Sequence, residues 1–164
     1  NLCEKINSLK DCYTTSSCSG RVVIMIDKEK KAKGLLTKVY HDFISFEEIK
    51  RDLEELSKSK NKKENFKFKM EPCALHVAFK TFEKAKEFYE KAKLLGWKKA
   101  GVIAFDKRFI VEINSSERLE FPIIKNKKIL IDNEFLKIVI EDANEKLKRG
   151  WKKIEKLGES LLKE

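Results

Sequence analysis

The segment Arg21-Val-Val-Ile-Met-Ile-Asp27 constrains this chain more than any other. Its apolar residues are consecutive, so an extended strand here has no polar face and belongs at the centre of a sheet, covered on both sides. A chain containing such a strand needs further strands beside it and helices to cover them. The rest of the sequence supplies both. Residues 34–40 read as a second strand after a charged turn at 28–33, and Phe66, Phe68 and Met70 alternate as in a strand. In 73–79, Cys73, Leu75, Val77 and Phe79 share one face and Ala74, His76 and Ala78 the other. Three more strands follow at 97–105, 108–113 and 119–124, the last placed near a sheet edge by Pro122.

Helical spacing occupies the gaps. Leu2, Ile6 and Leu9 read as the end of a helix, and Ser45-Phe46-Glu47-Glu48 reads as a capping box. That box opens a helix with Phe46, Ile49, Leu53 and Leu56 on one face, followed by a polar loop over 57–65. Thr81 caps a stripe of Phe82, Ala85, Phe88, Tyr89, Ala92 and Leu95 that ends at Gly96. From Asp132 onward one long helix carries Leu136, Ile140, Ala143, Leu147, Trp151, Ile154 and Leu161 on its apolar side. The class expected is α+β, a mostly antiparallel or mixed sheet with packed helices and a long C-terminal helix. A single domain over 1–164 is expected. A weak echo between the strands led by Arg21 and Arg108 suggests duplicated halves at 1–70 and 71–131, followed by the helix 132–164. The chain begins at Asn1 with no Met, and a missing N-terminal segment is expected.

Composition narrows the function. With 37 Lys+Arg against 27 Asp+Glu the net charge is +10, which suits a polyanion, nucleic acid first. Only five of the 37 are arginine, the residue that grips phosphate and carboxylate in a fork, so scattered lysine reads as diffuse attraction. No apolar run is long enough to span a membrane, and no leading signal is seen. The four cysteines form no CxxC pair, so a zinc ribbon is not indicated, no metal site is expected, and free thiols fit a cytoplasmic protein. The six glycines form no GxG, which excludes the Rossmann fingerprint and the P-loop.

Chemistry-bearing residues are few. Ser16-Ser17-Cys18-Ser19-Gly20-Arg21 puts small and polar residues before an arginine; small residues let backbone approach a ligand, and Arg21 suits a carboxylate or phosphate. The same stretch also reads as an ordinary Ser-rich turn. His76, between two alanines on a strand face, reads either as part of a ligand floor or as a satisfied core histidine. His41 reads as a surface turn residue or a second imidazole, and any imidazole acid–base chemistry must use one of these two.

The stretch Tyr13-Thr-Thr-Ser-Ser-Cys-Ser-Gly-Arg21 resembles the signature of the third-step methyltransferases of tRNA wybutosine synthesis. Lys38-Val39-Tyr40-His41 resembles the family's second block, and Glu71-Pro72-Cys-Ala-Leu75-His76-Val77 its Pro-x-x-Leu-His-Val block. Gly96, Gly101, Arg108, Val111-Glu112-Ile113 and Leu119-Glu-Phe-Pro122 follow in the expected order. Two departures are the absence of a tryptophan before His41, where Leu36 and Val39 stand, and the lack of a longer N-terminal helical segment. The resemblance implies a non-Rossmann fold and methylation of the N-4 nitrogen of 4-demethylwyosine, beside the anticodon of phenylalanine tRNA, with S-adenosylmethionine as donor. It implies His76, then His41, as base or substrate-orienting residue, and Ser16, Ser17, Cys18, Gly20 and Arg21 as the cofactor side of the site. The flat base would stack on an aromatic side chain. No membrane and no obligate protein partner is implied. Two other readings are a non-catalytic RNA-binding module on the same basic surface, and a hydrolase or transferase with Cys18 as nucleophile.

Overall fold

The computed structural model describes residues 1–28, 36–58 and 64–161, so the charged turn, the start of the second strand and most of the 57–65 loop lie outside the described residues. In chain order the elements are α1 (Leu2–Asn7), β1 (Cys12–Cys18), β2 (Arg21–Ile26), β3 (Leu36–Tyr40), α2 (Phe46–Ser57), β4 (Phe66–Glu71) and β5 (Ala74–Phe79). Then come α3 (Phe82–Leu94), β6 (Lys99–Ala104), β7 (Phe109–Asn114), β8 (Leu119–Lys125), β9 (Lys128–Ile129) and α4 (Asn133–Ser160). The class is α+β, and the strand pairs among the described residues are all antiparallel.

Two compact units form, and they do not follow the chain order of halves 1–70 and 71–131. One unit takes Asn1–Gly20, Pro72–Ser116 and Lys148–Glu164; the other takes Arg21–Glu71 and Glu117–Leu147. The physical reason is strand pairing: β1 joins β5, far away in sequence, while β2 joins β3 and β4. The long helix serves both, its residues up to Leu147 in one unit and from Lys148 in the other.

The first unit is built on a sheet of order β1-β5-β7-β6. Leu75, Val77 and Phe79 of β5 and Val111 and Ile113 of β7 face a core completed by Ile6, Ala85, Phe88, Ala92, Trp97 and Leu157. The α3 stripe is thus largely as its spacing predicts, with Thr81 Oγ1 accepting from the Lys84 amide at 3.3 Å. Phe82 departs from it and stays exposed. Gly96 ends the helix at φ +86°, a left-handed backbone that suits glycine.

The second unit holds the sheet β3-β2-β4-β8-β9. Val22, Val23 and Ile24 are fully buried in β2, which pairs on both sides, as its unbroken apolar run requires. Pro122 stands opposite Lys67 of β4, and β9 meets β8 only at Ile124 and Lys125, so β8 lies next to the edge of its sheet, as Pro122 suggests. In α2 the Ser45 hydroxyl accepts from the Glu48 amide at 3.3 Å, and Ile49, Leu53 and Leu56 are buried.

Candidate active site

The sheet of the first unit has one face under its core and one face free of it, and strand parity decides what the free face carries. Directly paired residues project to the same side. Ser16 pairs with His76 and Cys18 with Ala74; across β5, His76 pairs with Glu112 and Ala74 with Asn114; Glu112 in turn pairs with Gly101. The free face is therefore a row of Ser16, His76, Glu112 and Gly101, with Cys18, Ala74 and Asn114 beside it. Ser17 pairs with Leu75 and belongs to the opposite face.

His76 Nε2 and Glu112 Oε1 are 3.1 Å apart. Hydrogen bonding from the Asn114 side chain holds the Glu112 carboxyl below the ordinary glutamate range, against a smaller opposing effect of burial, and His76 adds to the lowering. Glu112 is thus ionised at neutral pH. A carboxylate on Nε2 selects the tautomer with its proton there, which leaves Nδ1 as the basic nitrogen. At Gly101 a Cβ would meet nothing within 4 Å, so the row opens onto free space.

Two devices shape the Ser-rich segment. Its register shifts between Thr14 and Ser16, a bulge that re-aims the residues after it. At its end Gly20 adopts φ +93°, which a side chain would strain. Between them, the Trp151 indole of α4 donates from Nε1 to the Ser19 carbonyl at 3.0 Å. Cys73 is a different kind of thiol from Cys18: it is buried, donates to the Gly150 carbonyl at 3.7 Å, and burial pushes its pKa to about 11. At Gly150 a Cβ would stand 3.4 Å from Cys73 Sγ, so α4 and Cys73 are in close contact here.

Arg21 and His41 belong to the second unit. Val22 pairs with Tyr40, and Arg21 and His41 stand one step beyond that pair. Arg21 Nε donates to Glu71 Oε2 at 2.7 Å, and the Lys69 ammonium lies 3.2 Å from the other Glu71 oxygen. His41 is exposed at the start of a loop. That loop is pinned by Asn144, which accepts from the Ile44 amide and donates to the Ile44 carbonyl, both at 2.9 Å. Behind His41 the Tyr40 hydroxyl donates to Asp52 Oδ2 at 2.6 Å. Burial pushes the Asp52 carboxyl up, but Tyr40, Lys38 and Arg51 together outweigh it and hold the group below the ordinary aspartate range. Burial, then the neighbouring Asp52, pushes the Tyr40 hydroxyl far above the ordinary tyrosine range.

Sequence reasoning missed Glu112, Trp151 and the Tyr40–Asp52 pair as members of these arrangements. Glu112 carried a signal: it is a lone acid in the alternating strand Phe109–Asn114. Asp52 carried one too, lying three residues from Ile49 on the buried side of α2. Trp151 showed only its apolar side. Among the described residues no group of three or more His, Cys, Asp or Glu side chains gathers as a metal site would, and no helix is long and apolar enough to cross a membrane.

A non-Rossmann α+β chain with an imidazole–carboxylate pair on an open sheet face has known relatives. Residues 1–163 match the family described as Methyltransferase TYW3. A protein of Thermococcus kodakarensis is 38% identical over 160 residues, covering 95% of this chain and 72% of its own length. It is named tRNA(Phe) 7-((3-amino-3-carboxypropyl)-4-demethylwyosine(37)-N(4))-methyltransferase 2. A protein of Methanocaldococcus jannaschii bearing the same name without the final numeral is 38% identical over 151 residues, covering 89% of this chain and 75% of its own. The solved PH1069 protein of Pyrococcus horikoshii superposes with a TM-score of 0.86 at 30% identity, over 96% of this chain and 79% of that one. A hypothetical protein from Aeropyrum pernix gives a TM-score of 0.79 at 27% identity, over 98% and 93%. The chain belongs to the TYW3 methyltransferase family.

Proposed function

We propose that this chain is the tRNA(Phe) 4-demethylwyosine N4-methyltransferase of wyosine-derivative biosynthesis, using S-adenosylmethionine, with the His76 face as its site of reaction. The observation that carries the activity is the family match over residues 1–163. Membership in a methyltransferase family displaces the non-catalytic RNA-binding reading and the Cys18-nucleophile reading. We take the reaction to be cytoplasmic and carried out by this chain without an obligate protein partner.

The residues of the face fit the donor's chemistry. S-adenosylmethionine supplies an electrophilic methyl on a cationic sulfonium, and it also carries an ammonium and a ribose diol. An ionised carboxylate at Glu112 suits a cation or a diol, the Ser16 hydroxyl adds a donor and an acceptor, and Gly101 and Ala74 leave room above the strands. Cys18 and Gly20 complete the same segment, and Ser17, on the opposite face, acts through its backbone. Arg21 is proposed to hold an anion, the donor's carboxylate or a tRNA phosphate, from within its pair with Glu71.

As the acceptor nitrogen forms its bond to the methyl carbon, the bond from that carbon to sulfur would break and its electron pair would leave with a neutral thioether; the nitrogen then gives up a proton. His76 Nδ1 takes that proton, and Glu112 holds the ring in the receptive tautomer and stabilises the imidazolium that results. The surrounding face orients the base, since an in-line displacement depends above all on alignment. His41 is proposed as a second orienting imidazole. The test is methyl transfer to tRNA(Phe) carrying 4-demethylwyosine, followed by mass spectrometry of the base. Wild type should add one methyl, and His76→Ala should lose about 10²- to 10⁴-fold in rate, the range of general base catalysis. Full activity in both His76→Ala and Arg21→Ala would overturn the site assignment. Absence of methylation by wild type would overturn the function.

A further inference from the structure

Two phenylalanine rings at one corner of the first unit stay exposed, and both meet a third, Phe109, that packs against the core. Phe82 is 44% exposed although it begins the stripe that Ala85, Phe88 and Ala92 bury, and Phe105, in the β6–β7 turn, is 64% exposed. Both contact the half-buried Phe109 edge to face, Phe82 at 5.7 Å between centroids and Phe105 at 6.4 Å. An isolated exposed ring calls for no account, but a joined set of them marks a surface that something covers.

Charge selects the occupant. Lys80, Lys107 and Arg108 are neighbours in sequence of Phe82, Phe105 and Phe109 and are all exposed. Phe79 pairs with Phe109, so Lys80 and Arg108 stand side by side one step outward, a like-charge arrangement that an anion between them relieves. Glu83 and Asp106 lie in the same two segments, and the cations outnumber them. Aromatic faces beside clustered cations form the platform on which an unpaired base stacks while its phosphate is neutralised.

We propose that Phe105, backed by Phe109 and Phe82 and flanked by Lys80, Lys107 and Arg108, binds an unpaired nucleotide of the substrate tRNA. This rests on the reading of tRNA as substrate. Phe109 shares the core side of β7 with Val111 and Ile113 while Glu112 lies on the free face, so a tRNA loop that reaches both passes over the end of the sheet at the β6–β7 turn, where Phe105 stands.

The test is binding of the full chain to tRNA(Phe) carrying 4-demethylwyosine, by fluorescence anisotropy, for Phe105→Ala, Phe105→Leu and Phe105→Trp. Stacking predicts that Ala and Leu each weaken binding about tenfold while Trp keeps wild-type affinity, with melting temperature and S-adenosylmethionine affinity unchanged. Replacing both Lys107 and Arg108 by alanine should flatten the dependence of log affinity on log salt by about 1–2. Wild-type affinity in Phe105→Ala overturns the proposal, as does Leu performing as well as Trp, which would indicate apolar packing alone. So does a wild-type dimer in sedimentation that Phe105→Ala dissociates with tRNA affinity intact. A wild-type chain that neither binds nor methylates tRNA overturns the tRNA reading itself. One that methylates normally with Phe105→Ala unimpaired overturns only this contact.

Discussion

Glu112 keeps its charge because Asn114 donates to it, and it spends that charge on the His76 ring 3.1 Å away. Glu112→Gln keeps the shape and removes the charge, and the amide can present its NH₂ to Nε2 and favour the other tautomer. The expected result is a kcat lower by roughly 10- to 100-fold, below the full effect of losing a base, with the KM for tRNA unchanged. Glu112→Asp should recover part of the loss, which a merely structural role would not predict. Gly20 is tested differently. A β-carbon at φ +93° costs about 1–3 kcal/mol, so Gly20→Ala should lower the melting temperature by several degrees. The Tyr40–Asp52 pair governs pH stability at both ends. Asp52 is depressed on folding, so its contribution is present above the unfolded value, about 3.9, and is lost as pH falls through the lower folded value. Tyr40 is raised, so its contribution is present below about pH 10 and is lost above it. Tyr40→Phe leaves a buried carboxylate one donor short. It should cost about 1.5–3 kcal/mol at neutral pH by denaturant titration, with a weaker acid transition. His76 was legible from sequence because alternation placed it opposite the core-facing residues of its strand. Its partner was not, because nothing local says which strand lies next to β5.

Elements with a strong period were read nearly to their ends. The run 21–27, the alternating Phe66, Phe68 and Met70, and the long final helix all stand where their spacing put them. β9 was missed. It spans two residues and follows a two-residue turn in which Asn126 and Lys127 take φ 49° and 64°. Hairpins of that type usually announce themselves by Asn-Gly, and a lysine in the second place hides the signal. Helix α4 was read correctly as apolar on one side, but its polar service was not. Trp151→Phe retains the ring packing and removes the donor to Ser19. The expected outcome is a melting temperature within a few degrees of wild type and a kcat/KM lower by about tenfold, read by methyl transfer. Equal activity would show that the Ser-rich segment holds its place without that hydrogen bond.

At the scale of the whole molecule, strand pairing joins segments that are far apart in the chain. An echo of strands and helices suggested two successive halves, but pairing energy depends on which faces meet, and the partners of β1 and β8 come from far along the chain. A fold so rich in distant pairings is expected to form slowly for its size. Deleting residues 148–164 removes Leu157 from the core of the first unit and leaves Trp97 as the sole tryptophan. Trp97 is 1% exposed in the folded chain, so its emission should shift to that of a solvated indole, with the full-length Trp151→Phe chain as reference.

The division of α4 between the units sets the order of events during synthesis. Neither core is complete until residues 133–160 have left the ribosome, because each unit draws part of its apolar cover from that helix. The strands, including the wholly apolar run in β2, are made first and wait with their faces uncovered. Birth of this protein is therefore a race between elongation and strand-to-strand association. Pauses in translation before the final helix should raise aggregation, while pauses after it should have little effect.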